Sequence, residues 1–246
     1  MDYYGEMKRL IMKISAAGRK VNPNFVVIPN NGLNLLLKSS SWDDPNSGVD
    51  QAYANAVDGF VLESILYGGN GGVNTVSPSY ELREMLPFMN VAKANGKKVM
   101  AIDYCTDKTK VDRSYSVHNG YGFISSAAGM QLDTIPRYPA QPYNVNSNDV
   151  NRLADARNVL YLIDPGKYRS ENGLLTALNK TNFDLIVISP YGPNDSRLTA
   201  AKVNSIKRKP AGGKRLVVCY MSVGAAADFF PYGQSIGWSA CTGFLD

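Results

Sequence analysis

The sequence is poor in the residues that usually mark a metal centre or a cross-linked scaffold. Its three cysteines, Cys105, Cys219 and Cys241, lie far apart without metal-ligand spacing. That argues against a zinc site and a disulfide framework, and leaves them as small interior residues. The single histidine, His118, stands beside Asn119-Gly120 in a polar stretch and is expected at the solvent, outside any chemistry. No apolar run is long enough to cross a bilayer, so no membrane span is expected. The first residues are charged and amphipathic, unlike a signal peptide. A Gly-rich phosphate fingerprint between strand and helix is also missing. Gly68-Gly69-Asn70-Gly71-Gly72 lacks the following helix and reads as a flexible loop, and no cofactor is expected. The formal charge of +5 is dispersed, and its densest run, Lys202 to Lys214, reads as a solvated helix face with its exit turn. Nucleic acid is therefore not an expected partner.

What is present fits one α/β domain spanning residues 1–246. A chain of 246 residues is ordinary for a single barrel, and a hydrophobic share of 44% supplies a sizeable core. Tyrosine is abundant, with 15 copies combining an apolar ring with a hydroxyl, a combination that suits sugar sites although most such residues are simply half-buried.

Helical spacing of Met7, Leu10, Ile11 and Ile14 predicts a helix stopped by Asn22-Pro23, feeding an apolar strand Phe25 to Ile28 that ends at Pro29. The same alternation predicts a strand from Gly59 ending at Glu63, a helix from about Tyr80 to Ala94 closed by Gly96, and a strand Lys98 to Ile102 running into Asp103. Gly122-Phe123-Ile124 falls in a loop-rich stretch, and Pro136 to Asn148 reads as a connector. The second half predicts a short helix over Val150 to Ala156, strands Val159 to Ile163, Phe183 to Ile188 and Leu216 to Tyr220, a helix marked by Leu174, Leu175 and Leu178, and a further helix capped by Thr199. Strands that are apolar throughout and separated by helices indicate a parallel sheet covered on both faces, either an open doubly wound sheet or a closed barrel.

The strand ends favour the barrel, because reactive residues in barrels sit where strands exit at the carboxyl face. Pro29-Asn30-Asn31-Gly32, Glu63-Ser64, Asp103-Tyr104 and Ser189-Pro190-Tyr191 all hold that position. The blocks Asn22 to Gly32, Asp58 to Tyr67 and Lys98 to Tyr104 resemble the second half of the endo-α-1,4-polygalactosaminidase family of glycoside hydrolases. Leu160 to Ile163, Phe183 to Ile188 and Gly212 to Gly224 resemble its first half. The halves stand in reversed order. The resemblance thus implies a circularly permuted (β/α)8-type TIM barrel, as a natural permutant or a fragment of a longer repeated protein. The tail Thr242 to Asp246 resembles the family's fifth strand, which leaves the fourth abbreviated between Tyr232 and Cys241.

The resemblance further implies a secreted or cell-surface glycosidase with carbohydrate as its partner and a two-carboxylate mechanism. Glu63 matches one family carboxylate and Asp246 its partner, while Asn31, Tyr67, Asp103 and Tyr104 stand as substrate-binding positions. These five strand-end residues, Asn31, Glu63, Tyr67, Asp103 and Tyr104, are expected to line one pocket. Each has an alternative reading, Glu63 as a helix cap or ion-pair partner, Asp103 as a turn cap and Tyr104 as packing. The pattern also departs from the family. Ala225, Ala226 and Ala227 replace a run with acidic residues, and Ser189 stands where a strand usually ends in Asp. Turnover of the family's substrate is therefore expected to be weak or absent, with a glycan-binding barrel as the alternative to a working hydrolase.

Overall fold

The computed structural model describes residues 2–39 and 44–223. Helix α1 (Tyr3–Val21) is capped by Asp2, whose side chain accepts from the Gly5 amide, and stops before Pro23. Helix α2 (Gln51–Ala56) leads into strand β1 (Gly59–Glu63), followed by α3 (Ser79–Ala94), β2 (Lys98–Tyr104), α4 (Lys108–Gly120) and β3 (Ile124–Ala128). After a long connector come β4 (Val159–Leu162), α5 (Glu171–Asn179), β5 (Leu185–Ile188), α6 (Ala200–Ser205) and β6 (Leu216–Cys219).

The strands form two three-stranded parallel sheets, β1-β2-β3 and β4-β5-β6. Parallel pairing agrees with the apolar strands, since both faces of each sheet are covered. Val61, Met100, Ile102 and Ile124 of the first sheet meet Val159, Tyr161, Leu185 and Val187 of the second in one buried cluster. On the opposite face of the first sheet, Phe60, Leu62 and Val99 pack with Ile11 of α1, Tyr53 of α2 and Met89 of α3. Behind the second sheet, Leu160, Leu162, Ile186 and Ile188 pack with Leu174, Leu175 and Leu178 of α5.

This arrangement corrects the expected TIM barrel. Among the described residues no ladder joins β3 to β4 or returns from β6 to β1, so eight strands do not close a ring. Open and closed parallel sheets demand the same buried, apolar strands, and only pairing separates them. The predicted strand Phe25 to Ile28 is likewise extended chain beside β1, with one parallel bridge between Asn30 and Val61. The expected helix over Val150 to Ala156 shrinks to a 3-10 turn, Leu153–Asp155. No helix among the described residues is long and apolar enough to cross a membrane.

Helix α4 and strand β3 carry no strong apolar pattern, and the sequence assigned neither. The buried face of α4 is Val111, Ser114, Tyr115 and His118, a helical i, i+3, i+4, i+7 stripe in which polar residues hold two places. All five residues of β3, Ile124-Ser125-Ser126-Ala127-Ala128, are buried despite two serines. His118 is consequently not a solvent residue but fully enclosed.

Candidate functional site at the strand ends

Glu63 closes β1, one step beyond Leu62. Side chains alternate across a strand, so Glu63 shares the face of Val61, towards the core between the sheets. The neighbouring extended segment is fixed there by Asp58, which pairs with Arg19 of α1 at 3.0 Å and accepts from the Val27 amide at 2.8 Å. The Val61 amide then donates to the Pro29 carbonyl, and the Asn31 amide to the Val61 carbonyl. Asn31 and Gly32 both take the left-handed conformation, turning the chain away immediately after the site.

This register brings Asn30 and Asn31 to Glu63. Asn30 Nδ2 donates to Glu63 Oε1 at 2.6 Å, and the Glu63 amide approaches Asn31 Oδ1 at 3.4 Å. From β2, the Tyr104 hydroxyl donates to Glu63 Oε2. Burial, then the hydrogen bond and charge of Glu63, then Tyr220, push the Tyr104 phenol well above its ordinary range. Tyr161 on β4 is raised by burial, with Glu63 and Tyr104 adding to it. These phenols stay protonated at neutral pH, with Tyr104 serving as a donor to the carboxylate. Among the described residues no cation pairs with Glu63, which keeps part of its surface open.

Asp103 and Tyr67 lie on the other side. Tyr104 faces the core between the sheets, so its neighbour Asp103 points under α4, where it is 0% exposed. Its carboxylate accepts from the Leu66 and Tyr67 amides, from Ser114 Oγ at 2.6 Å and from His118 Nε2 at 2.9 Å. Burial pushes the Asp103 carboxyl up, but the hydrogen bond and charge of His118, with Ser114 and the Leu66 amide, hold it below its usual value. His118 Nδ1 has no hydrogen-bond partner, which favours the tautomer with its proton on Nε2. Asp103 thus ties the loop after β1 to α4. Tyr67 packs with Cys105, Val111 and Tyr115 in this outer layer.

The five residues expected in one pocket therefore divide between two faces. Asn31, Glu63 and Tyr104 meet at the inner strand ends, and Tyr67 and Asp103 sit beneath α4. Asp246 lies outside the described residues, as do Ala225 to Ala227. Asn30 and Tyr161 complete the inner site and were not singled out by sequence. Asn30 had a signal in its place beside Asn31 in the turn block, whereas Tyr161 is indistinguishable from a core tyrosine until the sheets are assembled. Among the described residues no cluster of three His, Cys, Asp or Glu side chains is placed to hold a metal ion.

The chain matches no protein-family profile. It is similar to an uncharacterized protein of Methanocaldococcus jannaschii, 31% identical over 110 residues that make up 44% of this chain and 28% of the relative. The match spans less than a third of that relative's length.

Proposed function

We propose that this chain binds carbohydrate at the inner strand ends, with Glu63 at the centre and an oligosaccharide containing amino sugars as the ligand. The observation that carries this reading is a partly open carboxylate held by Asn30 and Tyr104 with no protein cation beside it. A protonated sugar amine supplies the missing positive charge through a charge-assisted contact to the carboxylate. The resemblance of the Glu63 and Tyr104 blocks to polygalactosaminidases supports the same class of ligand.

Binding is favoured over cleavage because glycoside hydrolysis needs a second acid across the sugar. Asp103 is enclosed under α4 with its carboxylate fully engaged, and it offers no group to the inner face. Hydrolysis is the second reading and rests on Asp246 as the partner that the resemblance assigns.

Calorimetric titration with a galactosamine oligosaccharide and its N-acetylated counterpart tests the proposal. The amine form is expected to bind more tightly, and Glu63→Gln to weaken it roughly tenfold through loss of one charge-assisted contact. No binding by the wild type, or equal binding by E63Q, refutes the assignment. Product formation that disappears in E63Q selects the hydrolase reading instead.

A further inference from the structure

A second concavity lies away from Glu63, between the loop after β1, the start of α3 and α4. Its volume is about 380 Å³, and its walls include Ile65, Leu66, Val76 and Leu82. Polar groups are few, chiefly Tyr67 and Arg113, with Ser79 at the first turn of α3. A mostly apolar cleft with a few convergent polar groups is the usual form of a small-molecule site.

Two of these groups face the cleft without a protein partner among the described residues. Arg113 on α4 makes no ion pair or hydrogen bond among the described residues, although Asp107 and Asp112 stand on the same helix. Asp107 caps α4 through the Lys110 amide, and Asp112 accepts from the Tyr138 hydroxyl. The Tyr67 ring is buried, at 4% exposure for the residue, while its hydroxyl opens onto the cleft and makes no hydrogen bond among the described residues. Pro78, the N-cap of α3, supplies no side-chain acceptor, and the Glu81 amide turns back to the Pro78 carbonyl at 3.0 Å. The Arg113 guanidinium can only donate and the Tyr67 hydroxyl is free to donate, so a negatively charged acceptor suits both.

We propose that this cleft binds a small organic carboxylate with an aliphatic body. The carboxylate lies between the Arg113 guanidinium and the Tyr67 hydroxyl, and the aliphatic part lies against Ile65, Leu66, Val76 and Leu82. Arginine suits the role because its planar fork engages both carboxylate oxygens.

The test uses hexanoate and its uncharged analogue hexanamide, followed by amide chemical shifts of the labelled full chain. Hexanoate is expected to saturate, with the largest shifts in residues 65–82 and at Arg113, and to bind more tightly than hexanamide. Arg113→Ala, at an exposed position that leaves the core untouched, is expected to weaken hexanoate roughly tenfold or more, and Tyr67→Phe to weaken it by a smaller factor. Neither change is expected to alter hexanamide binding greatly. Absence of saturable hexanoate shifts in the wild type overturns the proposal. Equal affinity for acid and amide, or an R113A variant that binds hexanoate as the wild type does, overturns it as well.

Discussion

Replacing Asp103 by Asn keeps the shape of the side chain while removing its charge. The native carboxylate receives two amide donors, one hydroxyl and one imidazole N–H at zero exposure. Asn retains one oxygen for the Leu66 and Tyr67 amides, but its NH2 then confronts Ser114 and His118. Ser114 can turn its hydroxyl to accept. His118 can accept only by moving its proton to Nδ1, which has no partner in its enclosed position. Weakening charge-assisted bonds to neutral ones, together with one buried donor left unsatisfied, costs about 3 kcal/mol, and Asp103→Ala costs more. Urea denaturation with an unchanged m-value measures the loss. The folded carboxyl titrates below its ordinary 3.8, so its stabilisation is complete above that value and is lost as pH falls through the lower folded one. D103N should therefore lack this acid-side loss. A destabilisation under about 1 kcal/mol, or an acid profile for D103N parallel to the wild type, refutes the account.

The remaining expectations concern the second sheet. Lys209 and Asp184 form a fully enclosed pair at 2.6 Å, so Lys209→Met strands a buried carboxylate and should cost about 3–5 kcal/mol by denaturation, whereas a loss below 1 kcal/mol counts against it. Gly213 has φ +76° and a Cβ there meets the Asn148 and Ser147 carbonyl oxygens at 2.4 Å. Gly213→Ala should lower the melting temperature by several degrees, about 1–3 kcal/mol, and an unchanged melting curve contradicts that geometry.

The sequence by itself marked four of the segments that become buried parallel strands. Phe60-Val61-Leu62, Val99 to Ile102, Leu160 to Leu162 and Leu185 to Ile188 are continuous apolar runs, and burial on both faces is what such runs require. It also placed Glu63 and Tyr104 at strand ends. Tertiary structure decided three things. Pairing divided the strands into two sheets where a closed ring was expected, because partner choice depends on contacts between distant segments that periodicity does not encode. The phase of β2 sent Tyr104 inward and Asp103 under α4, since a strand that is apolar on both sides gives no sign of which face a terminal residue will take. His118 and Ser114 became interior residues because Asp103 satisfies them there, an exchange of hydrogen bonds between a helix and a strand that exists only once the two are packed.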